Sequence, residues 1–216
     1  MSTTYVEPGL QAFEHALARP RVGERLLAEL VQSSGHRASH RDSSSKATSP
    51  ACCCTFTCAE SSRRFTVEVD SAISELGAKG VKVIGSVVDV GDKTAYQAWI
   101  SSAATELGGL DIFVPNVSAG GGDMTEGGWQ NNFNIDMMGA VRGIEAAMPF
   151  LKKSSSASVV VISSTAAVET FVAPQPMNAM KGALVVYAKQ LSQALAPEGI
   201  RVNCVLPGLV DTPGTR

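Results

Sequence analysis

Apolar runs of strand length alternate with stretches of helical periodicity from about residue 81 to the C-terminus. The strand-like runs are 81–90, 110–114, 157–162 and 200–206, and the helix-like stretches are 92–107, 129–151 and 177–195. In 92–107, apolar side chains recur every three or four residues, as they do on a helix that turns one face toward a core. This alternation predicts an α/β fold with a parallel sheet covered by helices on both faces.

Polar or glycine-rich residues follow each of the four predicted strands. These groups are Asp89 with Val90, the segment 115–122, Ser163 with Ser164, and Pro207 with Gly208. Each group alone is typical of an ordinary turn. Open α/β sheets, however, bind ligands beyond the carboxyl ends of their strands. The occurrence of such groups at consecutive strand ends therefore predicts a ligand-binding crevice.

Three spaced motifs carry a family resemblance over about residues 81–216. Ser164 lies thirteen residues before Met177, Lys181 lies four residues after it, and the sequence Arg-Val-Asn at 201–203 precedes the turn at 207–208. This arrangement resembles the short-chain dehydrogenase/reductase family, which has a Rossmann-type doubly wound parallel sheet and uses NAD or NADP. The resemblance implies an oxidoreductase that acts on a small carbonyl or alcohol substrate, with Ser164, position 177 and Lys181 as its catalytic group.

The resemblance also implies a binding site for NAD or NADP. In the family, an aspartate at a strand end contacts the adenine, an Asn-Asn-Ala-Gly turn shields it, and a Pro-Gly turn with a following threonine holds the carboxamide and a phosphate. The corresponding cofactor-binding residues here are Asp89, Val90, Asn116, Lys181, Pro207, Gly208 and Thr212. The family turn is replaced by Pro-Asn-Val-Ser at 115–118, so that only Asn116 matches directly.

Met177 stands where the family has its catalytic tyrosine. In the family mechanism, the tyrosine is the general acid or base, the lysine lowers its pKa and holds the nicotinamide ribose, and the serine hydrogen-bonds the substrate oxygen. A thioether has no titratable proton. Tyr187 is a poor substitute, because ten residues of helix place it about 15 Å further along the axis and on another face. We therefore expect impaired turnover; the alternatives are a non-catalytic scaffold and a defective gene product.

Asp136 is a second departure from the family pattern. It lies three residues before Gly139, where the family has a catalytic asparagine, while Asn134 is close by but out of register. Two interpretations are open. Asp136 is either an ordinary carboxylate on a helix surface or a replacement in the proton-relay position.

The N-terminal third lacks the family's cofactor turn. No Thr-Gly-x-x-x-Gly-x-Gly motif, which lets a pyrophosphate approach a helix N-terminus, occurs in the chain. We predict one domain made of a helical segment at 1–32, an irregular segment at 33–66 and the family-like core at 67–216. Residues 35–42 and 52–54, read one nucleotide later, can encode Gly-Ile-Gly-x-x-Ile-Ala and Val-Val-Val, which suggests a frameshift. Degraded first strands would leave a gap between the third and fourth strands unless 21–32 and 52–58 serve as surrogate elements, which nothing in their pattern requires. The family's C-terminal elements are also missing, so we expect poor stability.

Composition narrows the remaining function classes. The 216 residues, 44% of them hydrophobic, suit one domain with a sizeable core. A net charge of -2 gives no electrostatic reason to expect nucleic acid or an anionic membrane as a partner. No apolar run reaches membrane-spanning length and the polar segment 1–9 lacks a signal-peptide core, so we expect a cytoplasmic protein. The contiguous cysteines at 52–54 are weak grounds for a metal site, and none is predicted. The resemblance implies a homo-oligomer, joined through 129–151 and 177–195.

Overall fold

The computed structural model describes residues 25–31, 51–57, 69–70, 73–74, 76–78, 80–120, 123–170 and 173–209, the first two segments as backbone only. Within these residues, seven strands form one sheet. They are β1 Arg25–Val31, β2 Ala51–Thr57, β3 Lys82–Ile84, β4 Val87–Val88, β5 Ile112–Val114, β6 Ser158–Ile162 and β7 Arg201–Val205. Every pairing among them is parallel, in the order β3-β2-β1-β5-β6-β7, with β4 also paired to β2. This order confirms the predicted doubly wound parallel sheet.

Helices connect the strands in the described part of the chain. They are α1 Lys93–Glu106, α2 Glu126–Asn132, α3 Met138–Leu151 and α4 Gln175–Leu195. A π-helical turn, Phe133–Met137, joins α2 to α3, and 3-10 turns occupy Thr165–Ala167 and Ala196–Glu198. Asp92 begins α1 as its N-cap, because its carboxylate accepts hydrogen bonds from the backbone N–H groups of Thr94 (3.0 Å) and Ala95 (3.1 Å).

The first two strands correct three predictions. Residues 25–31 are not helical and residues 51–57 are not irregular, since they form β1 and β2. The expected gap does not arise, because parts of the two possible surrogate segments fill it: Leu27 of β1 pairs with Cys53 of β2 on one side and Phe113 of β5 on the other. A short apolar run cannot be assigned to helix or strand by periodicity alone, and pairing with two neighbours satisfies the backbone groups of β1. The other residues of 1–66 lie outside the described part of the chain.

Three predicted boundaries also change. The predicted strand 81–90 is two short strands, β3 and β4, separated by residues 85–86. The predicted helix 129–151 begins three residues earlier, at Glu126, and is interrupted by the π-helical turn. The predicted helix 177–195 begins at Gln175, with a proline at its second position, where the missing N–H costs nothing.

The core lies between α1, α3 and the sheet. Tyr96 and Ile100 of α1, Phe113 of β5 and Ile144 of α3 are each at most 2% exposed. Gly143 allows this close approach, because a Cβ atom there would lie only 2.8 Å from Cζ of Phe113. The glycine therefore sets the distance of α3 from the sheet, and with it the position of the π-helical turn that precedes α3.

Candidate active site

The structure brings the ends of β5, β6 and β7 together. The N–H of Ile162 donates to the carbonyl of Pro115 (3.3 Å), and the N–H of Ser163 donates to the carbonyl of Val205 (2.8 Å). Beyond the strands, the N–H of Thr165 donates to the carbonyl of Pro207 (2.9 Å). These bonds fix the loops after the three strands against one another at the edge where such sheets bind ligands.

The two serines after β6 have different surroundings. Ser163 is buried, and its hydroxyl donates to the carbonyl of Lys181 on α4 (2.7 Å). Ser164 is half-buried, and its Oγ accepts from the N–H of Ala166 (3.1 Å) as the N-cap of the 3-10 turn. Accepting that bond leaves the hydroxyl proton of Ser164 available to another acceptor.

Met177 and Lys181 lie one turn apart on α4, so their side chains leave the helix on the same face. Met177 is half-buried, whereas Lys181 is only 3% exposed. Asn178 fixes the start of the helix, because its Nδ2 donates to the carbonyls of Thr170 (2.7 Å) and Ala173 (2.9 Å).

Asp136 and Lys181 form a buried ion pair. Oδ1 of Asp136 lies 3.4 Å from Nζ of Lys181, and the two side chains are 0% and 4% exposed. The carboxylate also accepts from Oγ of Ser118 (2.6 Å) and from the N–H of Ala119 (3.1 Å). The interpretation of Asp136 as an ordinary surface carboxylate is therefore wrong. Buried charges require such partners, since desolvation of an unpaired charge is costly.

The π-helical turn determines which side chain faces Lys181. Within Phe133–Met137, Ile135 and Asp136 are buried. Asn134 instead accepts a hydrogen bond from Nη1 of Arg142 (2.9 Å). A π-helical turn changes the angular spacing of side chains around the axis and frequently occurs at functional sites.

Ser118 is a site residue that the sequence interpretation missed. It occupies the last position of the segment that replaces the family's Asn-Asn-Ala-Gly turn, so a hydroxyl stands where the family has no side chain. That substitution was the available signal. Its contact with Asp136, eighteen residues further along the chain, depends on how the loop after β5 packs on the π-helical turn.

The residues assigned to the cofactor site lie at several strand ends. Asp89 follows β4 and is exposed, and its Oδ1 accepts from the N–H of Gly91 (2.7 Å). Asn116 follows β5 and is half-buried, whereas Val90 is only 1% exposed. Pro207 and Gly208 follow β7, next to the 3-10 turn. Thr212 lies outside the described residues, as does the segment 32–50 between β1 and β2.

Two titratable groups on β7 and α4 have shifted pKa values. Burial raises the pKa of the Cys204 thiol on β7, while the N–H of Ser163 and the charge of Lys181 act in the opposite direction. Burial also raises the pKa of the Tyr187 phenol, and the negative charge of Glu145 adds to the effect. Both groups are therefore protonated at neutral pH.

The strand order and the parallel pairing define a Rossmann-type fold. Residues 55–216 match a family model described as enoyl-(acyl carrier protein) reductase. The rabbit protein "Dehydrogenase/reductase SDR family member 4" is 35% identical over 156 residues, which cover 70% of this chain and 60% of that protein. Isoepoxydon dehydrogenase of Penicillium expansum is 35% identical over 130 residues, which cover 60% of this chain and 50% of that protein. The chain belongs to the short-chain dehydrogenase/reductase family.

Solved structures share the fold. A dehydrogenase/reductase from Sinorhizobium meliloti superposes with a TM-score of 0.72 at 22% identity, covering 93% of this chain and 78% of that chain. L-sorbose reductase from Gluconobacter frateurii, complexed with NADPH and L-sorbose, gives 0.70 at 23% identity, covering 88% and 72%. The chain spans about 60% of the length of the mammalian relative named above. Among the described helices, none has the length and apolar character needed to cross a bilayer.

Proposed function

We propose that this chain is an NAD(P)-dependent oxidoreductase for a small carbonyl or alcohol substrate, in which Met177 impairs proton transfer. The observation that carries the proposal is the placement of Met177 one helical turn before the buried Lys181, on the helix that also contacts Ser163. This helix retains the lysine and the spacing of the family's acid–base group. It lacks the only member that exchanges a proton with the substrate.

The described residues fit the two ends of a dinucleotide by their donor and acceptor chemistry. Asp89 presents an exposed carboxylate whose Oδ2 can accept from an adenine amino group, since Oδ1 is bonded to Gly91. At the other end, Lys181 and the turn at 207–208 would hold the nicotinamide side. A bound nicotinamide supplies or accepts the hydride. Related structures are described as holding NAD+ or NADPH, so both cofactors are tested.

Ser164 and Met177 differ in what they can contribute at the substrate oxygen. The hydroxyl of Ser164 would donate a hydrogen bond to that oxygen and orient the substrate. Met177 has no proton to transfer. Positioned acid–base catalysis contributes roughly 10²–10⁴-fold to turnover, which sets the size of the expected deficit. The described tyrosines do not compensate, because Tyr96 is buried in the core and Tyr187 lies ten residues beyond Met177.

The test of this proposal begins with cofactor binding. The purified chain is titrated with NADH and NADPH while the reduced-nicotinamide fluorescence and the melting temperature are followed. We expect saturable binding with a rise in melting temperature. Turnover of an aldehyde and ketone panel should then increase in Met177→Tyr but not in the matched variant Met177→Phe. Failure of the parent and of both variants to bind either cofactor would contradict the proposal and favour a defective gene product.

A non-catalytic scaffold is the second candidate, and the neutralised pair Asp136–Lys181 favours it. Exposed apolar side chains on the helices also support self-association as a homo-oligomer: Trp129 of α2 (37% exposed), Phe133 of the π-helical turn (43%) and Val186 of α4 (62%). Sedimentation velocity of the parent and of Val186→Glu tests the proposed self-association. A monomer in the parent would contradict it.

A further inference from the structure

We infer that Asp136 is a positioning residue that withholds the charge of Lys181 from position 177, so that the replacements at 136 and 177 are functionally coupled. This inference rests on the proposed function. It assigns a second cause of impaired proton transfer, the pairing of Lys181 with Asp136. This pairing would remain when a phenol is restored at position 177.

Two polar groups of the protein lie close to the ammonium of Lys181. Nζ of Lys181 lies 3.4 Å from Oδ1 of Asp136 and 3.5 Å from the carbonyl oxygen of Ile162. The ammonium thus donates to one backbone carbonyl, and its positive charge has a carboxylate partner within the protein. The two side chains are 4% and 0% exposed, so water screens the interaction little.

Two neighbouring hydrogen-bond donors hold the carboxylate of Asp136 in place. The hydroxyl of Ser118 donates to Oδ1 (2.6 Å) and the N–H of Ala119 donates to Oδ2 (3.1 Å). Two hydrogen-bond donors of one segment and the ammonium of Lys181 from another thus converge on the carboxylate. Charge-assisted hydrogen bonds of this kind are strong and fix orientation. The carboxylate therefore remains directed at the lysine.

Pairing with Asp136 weakens the electrostatic effect of Lys181 at position 177. A lysine lowers the pKa of a nearby phenol because its positive charge stabilises the phenolate. A carboxylate 3.4 Å from the ammonium turns that charge into a dipole, whose field falls off faster with distance than that of a single charge. Cys204 of β7 also interacts electrostatically with Lys181, but burial raises the pKa of its thiol, so it carries no compensating charge at neutral pH. Asp136 is thus the described group that cancels the charge of Lys181.

The experiment compares Met177→Tyr with the double variant Met177→Tyr/Asp136→Asn. Asparagine has nearly the same shape and can accept from Ser118 or Ala119, but it carries no charge. Each protein has a phenylalanine control at position 177 in the same background, so that difference absorbance against pH reports the introduced phenol alone. We expect the phenolate midpoint to be at least about one pH unit lower in the double variant, a shift of the size that one nearby charge produces. Equal midpoints would overturn the inference.

Turnover supplies a second readout. In the double variant, kcat for a reactive aldehyde should exceed that of Met177→Tyr by about tenfold or more, with KM changed much less, since substrate contacts are retained. A purely structural role of Asp136 would alter the melting temperature and leave the phenolate midpoint unchanged. Should Asp136→Asn not unfold cooperatively, Asp136→Ser, which is neutral and smaller, carries the same comparison.

The phenolate titration needs neither cofactor nor substrate, so its result is independent of the proposed function. A lowered midpoint without binding of NADH or NADPH would support the coupling and contradict the oxidoreductase proposal. Binding of a cofactor with equal midpoints would support the oxidoreductase proposal and reject the coupling.

Discussion

The pairs β1–β2 and β6–β7 are both parallel, yet they differ in the segments that follow their first strands. After β6, two polar groups of the candidate site have defined partners: Ser163 donates a hydrogen bond to α4, and Lys181 forms an ion pair with Asp136. After β1, residues 32–50 lack the glycine-rich turn of the family, although β1 and β2 pair over seven residues in continuous register. Strand pairing can therefore persist where the chemistry of the following loop has changed, because pairing uses backbone groups and apolar runs.

Breaking the buried ion pair tests the β6–β7 side of this comparison and should have the largest effect. Lys181→Met leaves the Asp136 carboxylate buried without its cation, which costs about 3–5 kcal/mol in the free energy of unfolding. Urea denaturation measures the loss. The matched control is Lys189→Met, an exposed lysine on the same helix, for which we expect a change within about 0.5 kcal/mol. Similar values for the two variants would show that the ion pair does not stabilise the fold.

A proline in β1 tests the β1–β2 pair of this comparison. Leu27 pairs with a neighbour on both sides, so Leu27→Pro removes a ladder hydrogen bond at the centre of the sheet. We expect a loss of about 3 kcal/mol or more, measured by thermal and urea unfolding. Lys82→Pro is the control, because Lys82 is the first residue of the edge strand β3, where proline is tolerated. A Leu27→Pro variant as stable as this control would show that β1 is not a central strand.

Gly143 tests the packing that connects the two sides. A Cβ in Gly143→Ala would lie 2.8 Å from Cζ of Phe113, and we expect about 1–3 kcal/mol of destabilisation from overpacking. Gly182→Ala is the matched control on α4, where the nearest atom to the new Cβ is the carbonyl oxygen of Ala167 at 3.8 Å. Alanine is the better helix former, so this control should be neutral or more stable by up to about 1 kcal/mol. Equal signs for the two variants would contradict the packing argument.

The smallest expected effect is a loss of folding stability at alkaline pH. Burial, followed by the charge of Glu145, raises the pKa of Tyr187 above its ordinary value of 10.0. An acid whose pKa is higher in the folded state retains its proton there while the unfolded chain releases it. Stability is therefore lost as the pH rises above about 10. Tyr187→Phe should flatten the dependence of the unfolding free energy on pH in this range, and Glu145→Gln should flatten it less. An unchanged slope in Tyr187→Phe would argue against this assignment.

The sequence predicted the C-terminal part of the sheet well, because helices and strands there are long or bounded by clear turns. Helix α1 begins at Asp92 and β6 occupies all but the first residue of its predicted span, as local capping and apolar periodicity indicate. The segments that form β1 and β2 were recognised only as possible surrogate elements, since seven apolar or mixed residues fit a helix or a strand equally well. Pairing with β5 and β3 decides between the two. The frameshift in 33–66 stays a hypothesis that the nucleotide sequence can test.

The sequence by itself determined the types and local spacing of the site residues. Ser164 follows a strand, and Met177 and Lys181 lie one turn apart on a helix, because these relations follow from strand and helix geometry. The loss of the tyrosine proton is likewise evident from residue identity alone. Only the tertiary structure decided that Asp136 is buried against Lys181, 45 residues away along the chain. The π-helical turn and the packing of α3 through Gly143 bring the two charges together, and no local pattern encodes that distance.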